Sequence, residues 1–161
     1  MADLVKLVLK DSCNFDKLCE LTKAIFQEFY SSILEKDMLE YILNFICESN
    51  YKDKIKFDNY HIFLIKNNDK TIGFIEIQEQ ENFFEIQRFY LLKEERNKGF
   101  GKEIFEKIKK EFQNKKFKLY VNQKLTQSIK IFEKLGFKLD KKVALYIGSN
   151  FYLYNHLMIF E

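Results

Sequence analysis

Apolar residues along this chain recur with two different periods, and the alternation between them lays out its elements. Between Phe15 and Phe29, the residues Leu18, Leu21, Ile25, Phe26 and Phe29 form one stripe at helical spacing; Met38, Leu39, Ile42, Leu43 and Ile46 form a second. Leu4 to Leu9, Tyr60 to Lys66 and Thr71 to Gln78 read as strands. The last two are joined by Asn67-Asn68-Asp69-Lys70, residue types that tolerate left-handed turns. Glu48 to Asn59 is polar and has no clear period, which predicts a loop. Phe83 to Leu92 is an aromatic and aliphatic run of strand character. A charged connection follows, then Gly99-Phe100-Gly101, then a helical pattern carried by Ile104, Phe105, Ile108 and Phe112. A further strand begins at Lys118. The helix after it has Leu125, Ile129, Phe132 and Leu135 on its apolar face and Gly136 placed to end it. Two more strands fall around Phe137 to Tyr146 and Tyr152 to Ile159. The order β-α-α-β-β-β-α-β-α-β-β predicts one α/β domain over residues 1–161, a central mixed β-sheet flanked by helices on both faces.

The segment from Arg96 to Gly101 sits where a helix begins. The first amide N–H groups of a helix lack partners within it, and the macrodipole favours negative charge there. Glycine at 99 and 101 removes the Cβ atoms that would hold a phosphate off the backbone. Arg96 and Lys98 add positive charge, Arg96 with a fork suited to phosphate oxygens. The stretch is thus a candidate pyrophosphate loop. It is not a Walker loop, because Gly101-Lys102 is followed by Glu103 rather than Ser or Thr. Nor is it a dinucleotide fingerprint, which needs a third glycine where Ile104 stands.

Composition narrows the function classes. With 27 basic and 24 acidic side chains the net charge is +3, too balanced to indicate nucleic acid. Cys13, Cys19 and Cys47 form neither a paired framework nor a metal spacing, and only His61 and His156 accompany them, so no metal site is expected. Asp3 and Lys6 interrupt the first apolar run, no run reaches membrane-spanning length, and a cytoplasmic protein is expected.

Arg96-x-x-Gly99-x-Gly101, behind a strand and ahead of a helix, resembles the acetyl-CoA loop of the GNAT N-acetyltransferase superfamily. Lys118 to Phe137, KLYVNQKLTQSIKIFEKLGF, resembles the family's next strand and helix with its closing Leu-Gly-Phe. The tail LYIGSNFYLYNHLMIFE is similar to a variant of the family's last strands. The resemblance implies a GNAT-like fold and acetyl transfer from acetyl-CoA to a primary amine. It implies cofactor contacts from Phe89, Tyr90 and Leu91 on the strand and from Arg96, Asn97, Lys98, Gly99, Phe100, Gly101 and Lys102 in the loop. Asn122 and Phe132 are the corresponding candidates in the second block. In the family the strand before the loop bulges and parts from its neighbour, which would leave the amides of Phe89 and Leu91 as oxyanion donors.

Glu85, eleven residues before Arg96, stands where some members carry a glutamate general base, with Glu76 a weaker candidate. The segment between the first two helices lines the acceptor side in the family, which makes Tyr30, Glu35, Asp37 and Tyr41 candidate substrate contacts. The chain departs from the family at Phe132, where a tyrosine usually protonates the departing thiolate. That departure keeps a second reading in play, a catalytically silent module that binds acyl-CoA. The lysine runs interleaved with aromatics support a third, nucleic-acid binding, but no reading element accompanies them. The expected partners are a small-molecule or peptide amine acceptor, with no nucleic acid and no membrane, and a homodimer stays open.

Overall fold

The computed structural model describes residues 1–7, 12–46, 48–113 and 115–161. Seven strands form its centre: β1 (Ala2–Lys6), β2 (Tyr60–Asn67), β3 (Lys70–Glu79), β4 (Phe83–Leu91), β5 (Lys116–Asn122), β6 (Lys138–Gly148) and β7 (Phe151–Phe160). They lie in one sheet in the order β1-β2-β3-β4-β5-β7-β6. Every neighbouring pair is antiparallel except β4 and β5, so the sheet is mixed. The apolar run Ile62–Ile65 and the segment Phe74–Ile77, apolar except for Glu76, fall on the central strands β2 and β3, which are buried on both faces.

Helices cover the two faces. On one face α1 (Ser12–Tyr30), α2 (Lys36–Phe45) and α3 (Glu48–Lys54) pack Phe15, Leu18, Ile25 and Tyr51 against Ile62, Leu64 and Phe74 of the sheet. On the other, α4 (Phe100–Glu111) and α5 (Thr126–Lys134) set Ile104, Phe105, Ile108 and Ile129 against Ile75, Ile86, Phe117 and Leu119. Phe105 is fully buried among the rings of Phe117, Phe137 and Phe160. Truncating it to alanine should cost about 3–5 kcal/mol.

The element order matches the expected one, with two additions, one of them a short 3₁₀ turn over Lys93–Glu95 in the charged connection. Residues 48–54, expected as loop, form α3. Its seven residues are too few to show a period, and it is held by tertiary contact: buried Tyr51 meets the Thr22 hydroxyl of α1 at 2.8 Å. β1 begins and ends earlier than its apolar run suggested; the ladder continues through the Leu7 amide to the Ile62 carbonyl, and residues 8–11 lie outside the described residues. Cys19 is buried on α1, while Cys47 and the Cys13 side chain lie outside the described set.

Two irregularities of the sheet position the site. In the β3–β4 ladder Glu76 faces Arg88 but Ile77 faces Ile86, so Gln87 is an extra residue and β4 bulges there. The β4–β5 pairing runs only from Phe83↔Lys116 to Ile86↔Leu119. Beyond the bulge the two strands part. The Leu92 amide bonds the Ile72 carbonyl on the β3 side. By the alternation of a strand, the amides of Phe89 and Leu91 therefore turn towards the gap.

Candidate active site

The gap between β4 and β5 is a narrow cleft bordered by Phe89, Leu91, Arg96, Gly101, Leu125 and Phe132. Its upper end is the start of α4. Asn97 and Gly99 both have left-handed backbones, φ 62° and 87°, and Gly99 is the residue from which the helix springs. A Cβ added at Gly99 or Gly101 would meet nothing within 4 Å, so the helix start faces open space. The first helical amide to find a backbone partner is that of Glu103, on the Gly99 carbonyl. The amides of Phe100, Gly101 and Lys102 precede it and are the donors an anion would meet.

The charged side chains of the loop are less open than the sequence suggested. Arg96 directs its fork to Glu28 of α1, at 2.7 and 3.1 Å, donates Nε–H to the Leu91 carbonyl at 2.9 Å and stacks over Phe29 at 4.5 Å. Lys98 pairs with Glu95 at 3.0 Å. Asn122, at the end of β5, accepts the Lys124 amide and closes the turn into α5 instead of lining the cleft.

Phe132 occupies the third-last helical position of α5. The Gly136 amide bonds the Glu133 carbonyl and the Phe137 amide bonds that of Phe132, with Gly136 at φ 100°. This is a Schellman ending, and its usual apolar contact is made by Phe132 and Phe137, whose ring centroids are 5.8 Å apart. One side of the Phe132 ring therefore closes the helix and another borders the cleft.

A second, wider cleft of about 580 Å³ opens on the α1–α2 side of the sheet. Tyr30, Gln87, Arg88, Tyr90 and Tyr120 border both clefts, so the two meet at the bulge. Tyr41 lines the wider cleft and is held there by its hydroxyl, which donates to the Ile147 carbonyl at 3.0 Å. Glu35 and Asp37 are exposed and line neither cleft. Tyr30 and Tyr90 hydrogen-bond through their hydroxyls, and burial raises both phenol pKa values, so both stay protonated near neutrality.

Glu85 borders the wider cleft. Its carboxylate accepts Nε2–H bonds from Gln80 and Gln87, each 2.7 Å, and meets Lys118 Nζ at 3.2 Å. Glu76, the weaker candidate, is fully buried and serves as a counter-ion. Arg88 Nη1 lies 2.8 Å from both its oxygens, Tyr60 donates at 2.5 Å and Lys54 Nζ approaches to 3.4 Å. Burial alone would raise its pKa, but Arg88 and Lys54 hold it below the ordinary carboxylate value. Arg88, Lys54, Tyr120 and Asn155 of the wider cleft escaped the sequence reading; the usable signal was Arg88 opposite Glu76 on paired strands.

The family described as "Acetyltransferase (GNAT) domain" matches residues 26–152. The chain belongs to this family. No curated protein matches the sequence. Among solved structures, the fold of this GNAT protein resembles PaiA N-acetyltransferase from Thermoplasma acidophilum in complex with coenzyme A. The TM-score is 0.79 and the identity 22%, over 100% of this chain and 99% of the other. It also resembles the dodecameric spermidine N-acetyltransferase of Vibrio cholerae, with TM-score 0.68 and 18% identity over 98% and 92% of the two chains. Arabidopsis thaliana NAA60 in complex with a bisubstrate analogue gives TM-score 0.67 and 11% identity over 99% and 97%. At these identities the likeness is one of fold. Among the described residues of the GNAT chain, no side-chain cluster could hold a metal ion and no helix is long and apolar enough to cross a membrane.

Proposed function

We infer that this GNAT protein is an N-acetyltransferase that uses acetyl-CoA and acts on a primary amine of a small molecule or peptide. The observation that carries this reading is the parting of β4 from β5 beyond Gln87. It creates a cleft with free amides along one wall and an unobstructed helix start at its end. These residues fit the cofactor: the amides of Phe100, Gly101 and Lys102 suit a pyrophosphate, and the gap-facing amides of Phe89 and Leu91 suit an extended amide-bearing arm. Acetyl-CoA, when bound, supplies an acyl group activated as a thioester.

The chain's own groups divide the remaining work. A gap-facing amide of β4 donates a hydrogen bond where negative charge develops on the acyl oxygen. Glu85, the carboxylate bordering the acceptor cleft, takes the proton of the attacking amine. Phe132 has no proton to give. The neutral Tyr30–Tyr90 pair, bordering both clefts, is a protein source for the thiolate's proton. A silent acyl-CoA-binding module is the second reading, and Phe132 is the observation that favours it. The cytoplasmic setting expected from the sequence belongs to the same proposal.

The test is calorimetry with coenzyme A, followed by an amine panel scored by release of free thiol. Loss of one charge-assisted interaction predicts that Arg96→Ala weakens binding about 10- to 100-fold. Gly99→Val should weaken it as well, because valine strains at φ 87° and fills the open approach. Unchanged affinity in both variants refutes the cofactor assignment; tight binding with no thiol released from any amine favours the silent module.

A further inference from the structure

The acceptor cleft is charged asymmetrically. Arg88 and Lys54 keep 21% and 34% of their side-chain surface open, whereas Glu76, which both of them contact, has none. The cations face the cavity and the anion is sealed behind them. The other charged pair at the cleft, Glu85 with Lys118, is internally balanced. Three cations thus stand against two carboxylates, leaving the cavity with a positive charge in excess.

Two hydrogen-bonding atoms at this cleft have no partner among the described residues. They are a donor, Arg88 Nε, and an acceptor, Asn155 Oδ1. Asn155 is only 6% exposed and borders the cavity. Buried polar groups are nearly always paired, so an orphaned donor and an orphaned acceptor at one cleft point to a ligand that brings both complements. Apart from Glu85 and Gln87, the rest of the wall is apolar or aromatic, with Phe26, Ile42, Phe45, Leu145 and Leu153 among its residues.

We propose that the acceptor is a primary amine that also carries a carboxylate on an apolar body, the chemistry of a hydrophobic amino acid. The carboxylate sits against Arg88 and Lys54, and the amine donates to Asn155 Oδ1. Burial depresses the pKa of Lys54 even with Glu76 at 3.4 Å, so a bound carboxylate adds a second counter-charge to this ammonium. A polyamine has the opposite requirement. It needs several free carboxylates, and Glu85 already accepts from Gln80 and Gln87 and pairs with Lys118. This inference rests on the transferase reading, since it names that enzyme's acceptor.

The test uses the full-length protein saturated with coenzyme A, so that binding is read without turnover. Calorimetry compares L-phenylalanine and L-leucine with 2-phenylethylamine, which lacks only the carboxylate of phenylalanine, and with spermidine. An amino acid should bind about 10-fold or more tighter than either carboxylate-free amine, the loss expected for a missing charge-assisted contact. Lys54→Met should erase most of that preference while leaving coenzyme A affinity unchanged; Glu76 keeps Arg88 and Tyr60 in this variant, so the fold should hold. Binding of spermidine or 2-phenylethylamine as tight as that of the amino acids overturns the proposal, as does failure of both amino acids to bind. Failure of coenzyme A itself to bind refutes the transferase reading instead, and the same amine series on the free protein still decides the cleft's preference.

Discussion

Replacing Glu76 with glutamine tests whether the buried charge cluster holds the sheet to α3. The substitution keeps the side chain's shape and an oxygen for the Tyr60 hydroxyl, but leaves Arg88 and Lys54 without their shared anion. Removing one partner of a buried pair costs about 3–5 kcal/mol, and the retained hydrogen bond places this case near the lower end. For a chain of this size about 3 kcal/mol corresponds to a melting temperature lower by roughly 6–12 °C. Differential scanning calorimetry at pH 7 reads this directly. The pH dependence carries a second check. The Glu76 carboxyl is held below its ordinary value of 4.5 in the folded protein, so its contribution is fully present above that pH and is lost as pH falls through the depressed folded value. The gap between wild type and Glu76→Gln should therefore narrow only under acid conditions. Adding Arg88→Met to Glu76→Gln should recover part of the loss, because an apolar side chain does not need the missing anion. A Glu76→Gln protein that melts within about 2 °C of wild type at pH 7, less than 1 kcal/mol on the same scale, refutes the reasoning.

Glu85→Gln keeps the shape of the side chain but cannot accept a proton; kcat should fall by about 10²–10⁴-fold with coenzyme A affinity unchanged, and a rate within threefold of wild type removes Glu85 from the mechanism. Phe132→Tyr should raise turnover if the thiolate's proton is the missing element. If the rate stays at the wild-type level while Tyr30→Phe lowers it, the Tyr30–Tyr90 pair already supplies that proton. No change in either variant leaves solvent as the donor.

The legible and illegible parts of this molecule divide by range. Stripes such as Leu18–Ile25–Phe29 and runs such as Thr71–Gln78 report local periodicity, and the elements they announced are present. The start of α4 was equally readable, because the glycines at 99 and 101 and the apolar stripe behind them mark it locally. The α3 helix was not, since it is held by distant contacts such as Tyr51 with Thr22, 29 positions away, and Lys54 with Glu76. The same limit applies at the wider cleft. Asn155 reaches it from β7 and Lys54 from α3, and no local pattern connects them. Of the four residues expected as substrate contacts, Glu35 and Asp37 are exposed while Tyr30 and Tyr41 line the wider cleft.

The ending of α5 bears on which substitutions this fold can absorb at its reactive centre. The ring of Phe132 is needed to meet Phe137 and seal the turn through Gly136. A hydroxyl on that ring would serve chemistry alone. Structural duty and chemical duty thus fall on different atoms of one side chain, and a single oxygen can be removed without loosening the helix. The mutational neighbourhood of this position is correspondingly lopsided. Exchange between phenylalanine and tyrosine keeps the ring contact with Phe137, while a small or polar residue forfeits that contact. Activity and stability can drift apart here through one atom.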